Sequence, residues 1–346
     1  MRWTIRILLF IICGQYVDDD VFGQTQALSV DKPHIPGVAE SHLASLEAWR
    51  TGDMLIRYST AGEGKLIADE VGEVIGPDAL SLVVQEYYLS RFVFDFESER
   101  VLVIKRVERE ERLFNALDEE IRQPVRTSGN RVMLYDKIAN YELQRIHAGE
   151  IRRSEIKVPI SGSIGCIGRM GVLDLRHLGC VEGINWDFDA LREQVRFNNS
   201  VDNIEQITHI AKDVYRIVAK DLEMKRYRGR YVTDWDVQRN VPVRFESHHV
   251  PDSTNPVRIT TVDWKSIDGL FVPESARMSR RSIATHADRE FHLREETTVD
   301  VHWFSLNTEL PAELFAEALI HDRKKLDEML NTDVFEDPSK EDRKDK

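Results

Sequence analysis

From about Ser81 onward, apolar and polar residues alternate with a period of two, the spacing of half-buried β-strands. In Tyr87–Glu97, Phe92, Phe94 and Phe96 fall on one side, with Arg91, Asp95 and Glu97 on the other. Ser98-Glu99 is a turn candidate and Arg100–Val107 runs straight back, which makes a hairpin with one polar face. The same alternation predicts strands over Arg131–Tyr135, Ala139–His147, Val214–Ala219, Leu222–Tyr227, Arg230–Asp236, Val241–His249, Arg258–Lys265, Leu270–Ser279 and Arg289–Phe304. The last is the clearest: Phe291, Leu293, Val299, Val301 and Trp303 share one face, opposite His292, Arg294, Glu296, Asp300 and His302. Short turns such as Arg228-Gly229 and Asp268-Gly269 join successive strands, as in an antiparallel meander. Nothing alternates strand with helix in the manner of a doubly wound sheet.

Helical spacing is confined to a few places. Leu43, Leu46 and Trp49 recur every three residues in Glu40–Arg50, with Ser41 to cap the start, Gly52 to end it and a strand following at Asp53–Thr60. Six glycines between Ser161 and Gly183 break the strand pattern. Trp186–Arg196 and Asp202–Lys212 then read as short helices, the second carrying Ile204, Ile207, His209 and Ile210. This is a loop-and-helix insertion over about 161–212, between two groups of strands. Pro311–Leu330 reads as a final helix, with Leu314, Phe315, Ala318, Leu319, Leu326 and Leu330 as its apolar stripe.

Composition narrows what such a chain does. Its 346 residues allow two domains or one large β unit, and the periodicity favours one sheet with an insertion. A hydrophobic content of 42% fills a substantial core, and a net charge of −13 excludes a general nucleic-acid binder, which needs a basic footprint. Arg2 and Arg6 precede the apolar run Ile7–Cys13, and Thr25-Gln26-Ala27 offers a cleavage site, so residues 1–27 read as an export signal. The expected location is the periplasm or cell envelope, with no later transmembrane segment. An extended lead-in (28–39), a folded domain (40–330) and a charged disordered tail (331–346) complete the layout. In an oxidising compartment Cys166 and Cys180 either form a disulfide or remain two buried thiols.

No motif names a reaction. The glycines around Ser161–Cys166 match neither a phosphate loop nor a dinucleotide fingerprint, and Gly162-Ser163-Ile164-Gly165 misses the nucleophile-elbow spacing. His248 and His249 point to opposite faces of a strand, and His286 and His292 lack a metal-ligand spacing. Carboxylate pairs such as Glu119/Glu120 and Glu295/Glu296 are ordinary among 60 acidic residues. The basic clusters Lys225–Tyr231 and Arg277–Arg281 read as solvated strand faces, or as patches for anionic lipid head groups. No catalytic residue, cofactor or metal is therefore assigned, and the expectation is a non-enzymatic protein.

A helix containing Leu46-Glu47-Ala48-Trp49 and followed by a long meander resembles the lipoprotein-sorting carriers of the LolA/LolB type. So do the strand-turn-strand segment Thr260–Pro273 and the paired Val241-Pro242-Val243-Arg244-Phe245. Leu173–Gly179 is similar to uncharacterised exported bacterial proteins of this architecture. The resemblance implies a mainly β (α+β) fold. One large curved antiparallel sheet of about ten to twelve strands, an incomplete barrel, wraps around a few helices. Its concave apolar face would bind acyl chains or another apolar ligand, with Phe92, Phe94, Phe96, Phe291, Leu293, Val299, Val301 and Trp303 as candidate contacts. The alternatives are an envelope interaction or sensory module that binds a protein partner without ligand, and, more remotely, a hydrolase.

Overall fold

The computed structural model describes residues 44, 48–68, 72–73, 79–98, 100–135, 140–146, 151–154, 203–220, 222–224, 227–249, 255–286 and 289–335. The export signal, the Cys166/Cys180 pair, the helix predicted over Trp186–Arg196 and most of that over Glu40–Arg50 lie outside them. The described chain is dominated by strands. They are β1 (Thr51–Ala68), β2 (Gly72–Glu73), β3 (Ser81–Asp95), β4 (Arg100–Phe114), β5 (Val125–Tyr135), β6 (Asn140–Ile146), β7 (Ile151–Ser154) and β8 (Ile204–Ala211). After these come β9 (Val214–Ala219), β10 (Leu222–Met224), β11 (Tyr227–Asp236), β12 (Val241–His249), β13 (Arg258–Ile267), β14 (Leu270–His286) and β15 (Arg289–Leu306).

They form one sheet in the order β7-β6-β5-β4-β3-β1-β15-β14-β13-β12-β11-β9-β8, with β2 beside β1 and β10 beside β11. Every pairing is antiparallel. The expectation of one large, mainly β, antiparallel sheet is met; β2, β7 and β10, of two to four residues each, account for the strands beyond the expected dozen. The sheet grows outward from a seam in which β1 lies against β15 from Gly52↔Leu306 to Leu66↔Phe291. Asn307, in the left-handed region at φ 52°, clasps that seam. Its Oδ1 accepts from the Arg50 and Thr51 amides at 2.8 and 3.3 Å, and its Nδ2 donates to the Ala48 carbonyl at 2.6 Å.

Alternation sorts the side chains onto two faces. Met54, Ile56 and Tyr58 of β1, Phe92 and Phe94 of β3, Val101 and Val103 of β4, and Val299, Val301 and Trp303 of β15 form one buried cluster. Trp49 and residues of β12–β14, including Trp264 and Met278, complete it. Leu55, Leu89, Val93, Leu102, Ile104, Val132 and Leu134 point to the other side. There they meet Phe315, Leu319, Ile320, Leu326 and Leu330 of the C-terminal segment.

The sheet curls toward the first face. On a flat sheet, β4 and β14 would lie about 19 Å apart, four strand spacings, yet His286 Nδ1 of β14 is 2.6 Å from Glu111 Oε2 of β4. The face carrying Phe92 and Trp303 is therefore concave. Three glycines on β1 accommodate the curl. A Cβ on Gly52 would stand 2.5 Å from the Phe94 ring, and one on Gly64 would stand 2.3 Å from the His292 carbonyl oxygen. On Gly62 a Cβ would come 3.0 Å from Glu295 Cγ. Bulges at Asp53/Met54, Asp234/Trp235 and Asp263/Trp264 add local twist.

Three local expectations are corrected. Asp202–Lys212, read as a helix, contains strand β8, paired with β9 through two bulges. Those bulges displace the alternation, so Ile204 and Ile207 mimic helical spacing, while β-branched Ile204, Ile207, Thr208 and Ile210 favour an extended chain. Pro311–Leu330 is not one helix but a 3-10 turn (Ala312–Phe315) followed by α1 (Glu317–His321) and α2 (Arg323–Glu328). The break falls at Asp322, whose side chain accepts from the Lys325 amide and so starts a new helix. Arg228-Gly229 is not a turn either; both residues are in β11, with Gly229 opposite His249. Asp268-Gly269 is the expected tight turn, with φ positive at both positions as a primed hairpin requires.

Gly64→Ala should lower stability by about 2 kcal/mol or more, since the neighbour to be displaced is backbone. Gly62→Ala, facing a movable side chain, should cost less; the midpoints of urea unfolding separate the two. A double-mutant cycle on His286→Ala and Glu111→Gln should return a coupling of about 0.5–3 kcal/mol. Strict additivity would mean that the curl does not bring β4 and β14 together in solution.

Candidate functional site: the concave face

The concave face is zoned along the strands. At one end lies the aromatic cluster: Phe92 and Phe94 stack in sequence with Phe96 (centroids 5.4 and 4.4 Å), and Trp49 meets Trp303 edge-on at 5.3 Å. The two strand tryptophans of this cluster anchor to prolyl carbonyls, Trp264 Nε1 donating to Pro242 at 2.7 Å and Trp303 Nε1 to Pro273 at 3.0 Å. The Trp49 indole N–H is buried without a hydrogen-bond partner. At the other end Leu80, Leu82, Val84, Leu113, Phe291 and Leu293 form a smaller apolar plug.

Between the two clusters runs a belt of charged and polar side chains, all at in-facing positions. Glu86 accepts from the Tyr88 hydroxyl and lies 3.7 Å from Arg109. Arg109 also donates through Nε to Glu111 at 2.8 Å, and Glu111 reaches His286. Across the seam, Glu295 accepts from Arg280 Nε at 2.5 Å and from Ser282 at 2.8 Å. Thr60 and Thr297 share a hydroxyl–hydroxyl bond at 2.9 Å, and Lys105 Nζ sits 3.9 Å above the Tyr88 ring. Burial, and then the adjacent Glu86 carboxylate, pushes the Tyr88 phenol far above its ordinary value, so it stays protonated and donates. Burial opposes the Arg109 charge, but Glu111 and Glu86 overcome it and hold Arg109 above its usual range.

The eight candidate ligand contacts are thus placed on one face but in two groups. Phe92, Phe94, Val299, Val301 and Trp303 are buried in the large cluster with Phe96 packed against it, whereas Phe291 and Leu293 belong to the plug. The belt between them was missed in the sequence. A signal was present: along β15 the in-facing series Phe291, Leu293, Val299, Val301, Trp303 is interrupted by Glu295 and Thr297, polar residues at apolar positions. Arg280, read as part of a solvated basic patch, pairs with buried Glu295.

Covers are distributed unevenly. The C-terminal segment packs on the convex face, where its stripe meets Leu89, Val93, Leu102 and Ile104. It is held there by Arg100 under Phe315 (4.6 Å), Arg57 under Phe335 (4.6 Å) and the Arg106–Asp327 pair (3.0 Å). Among the described residues, the large concave cluster is covered by strand and turn side chains and Trp49 alone. No group of three metal-ligating side chains occurs among them.

No protein-family profile matches the chain and no curated protein is similar to it. A DUF1329 family protein from Desulfovibrio piger is similar in structure, at 11% identity over 82% of this chain and 98% of that one, with a TM-score of 0.32. A proposed outer membrane lipoprotein-sorting protein domain from Vibrio parahaemolyticus is similar at 12% identity, over 82% and 96%, with a TM-score of 0.35. An outer membrane channel from Pseudomonas putida F1 follows at 8% identity, over 73% and 96%, with a TM-score of 0.26. These likenesses, each at a TM-score below 0.5, are of broad fold alone.

Proposed function

We propose that this chain is an exported, non-enzymatic binding protein of the cell envelope that holds an acyl chain, or another apolar ligand, on the concave face of its sheet. The observation that carries the reading is the uneven cover. The helical C-terminal segment packs on the convex face, while the large concave cluster is closed over, among the described residues, by side chains. Side chains turn aside at far less cost than a packed helix. Trp49 is the natural one to move: it precedes β1, and its buried N–H lacks a partner, an omission that costs about 1–3 kcal/mol. Phe92, Phe94, Phe96, Val299, Val301 and Trp303 would then line the ligand's tail.

Protein purified without detergent should carry lipid detectable by native mass spectrometry and organic extraction. It should also enhance the fluorescence of N-phenylnaphthylamine, with palmitate displacing the probe. Trp49→Ala should speed probe uptake. Absence of lipid, together with no probe uptake by either protein, overturns the reading.

A further inference from the structure

The curl makes the concave face a trough that runs along the strands, because it draws together β4 and β14, which lie on either side of the β1–β15 seam. One end of that trough is shut. Leu82, Val84 and Leu113 pack there on Phe291 and Leu293, and the His286–Glu111 contact spans from β14 to β4 at the same end. Two polar rows stand in front of this plug. In the first, Thr297 of β15 lies between Thr60 of β1 and Met278 of β14, and Thr60 in turn lies opposite Glu86 of β3. One row further in, Glu295 lies between Gly62 and Arg280. Thr60, Thr297 and Glu295 are buried and satisfied within the protein, the two hydroxyls by each other and the carboxylate by Arg280 and Ser282. The row on the other side of the threonines, Tyr58, Val299, Ala276 and Val262, already belongs to the aromatic cluster.

Resting on the function proposed above, we infer that the Thr60–Thr297 pair, backed by Glu295, is the floor of a blind trough and sets the length of acyl chain that the protein accepts. A tail entering from the aromatic end gains free energy with each methylene it buries, until its methyl end reaches the threonines. To go further it must part a buried ion pair already matched by its neighbours, which costs far more than a methylene returns. Additional carbons then stay outside, in water. From Thr297 to Trp303 the strand advances six residues, about 20 Å, which is the scale of an extended long-chain fatty acid.

The test is a chain-length series of saturated fatty acids from decanoate to arachidate, each displacing N-phenylnaphthylamine from the full-length protein below its micelle-forming concentration. Affinity should rise about fourfold per added methylene through the shorter acids and level off near palmitate. Thr60→Val/Thr297→Val removes both hydroxyls at once and so leaves no orphaned partner. It should move the break to a longer acid, whereas Ala276→Leu, which fills the row in front of the floor, should move it to a shorter one. General loosening of the sheet would not shift the break in opposite directions. Affinity that climbs unbroken to arachidate overturns the floor and leaves the apolar-ligand reading standing, as does a break that stays in place in either folded variant. If no acid of any length displaces the probe, the proposed function fails and the floor falls with it.

Discussion

A sheet this wide exposes more apolar surface than a few short helices can cover, and the requirement to keep both of its faces dry governs the architecture. On the convex side the chain meets it with the C-terminal segment, whose five buried side chains sit on Leu55, Leu89, Val93, Leu102 and Ile104. On the concave side it meets it by curling. Strands four places apart come within bonding distance, and aromatic rings from one wing fill the space left by another. Each such ring contributes about 1.5–3 kcal/mol on burial, which sustains a shape that bare backbone pairing would not hold. The glycines of β1 follow from the same requirement. Where Phe94 and Leu293 fold over the strand, only a residue without a side chain leaves them room.

The price of curling is that in-facing positions are drawn toward the interior, including those holding charge. Glu86, Arg109, Glu111, Arg280, Glu295 and His286 are tied into pairs because unpaired charge at such depth would be costly. The belt consequently separates two dry regions and gives the face a polarity along its length.

Strand positions were legible in the sequence because each long strand keeps one face toward the core, and the period-2 signal is then hard to mistake. Val214–Ala219 and Val241–His249 are read to the residue. Failures came where one face does not decide. Strand β8 is mostly exposed and doubly bulged, so its few apolar residues fall into helical spacing. Breaks such as that at Asp322 depend on a single side chain choosing the backbone over solvent. The eight lining residues were legible as a face, but their division into two groups was not. Which in-facing residues meet across the sheet depends on curvature, and curvature is a property of the whole sheet rather than of any strand. The belt stayed hidden for that reason: Glu111 and His286 are 175 residues apart, and no local pattern links them.

The seam between β1 and β15 has a kinetic implication. Each wing, β3–β7 and β8–β14, is built from hairpins between sequence neighbours, whereas the seam joins residues as far apart as Arg50 and Asn307, 257 positions along the chain. Closing so long a loop carries an entropic penalty that short hairpins escape, and folding slows as such distant contacts come to dominate. The two wings are therefore able to organise before they are joined, and the step that unites them also creates the concave surface. Until the last strand has left the ribosome, this protein has two half-faces and no interior, with its aromatic residues exposed to whatever binds nascent chains.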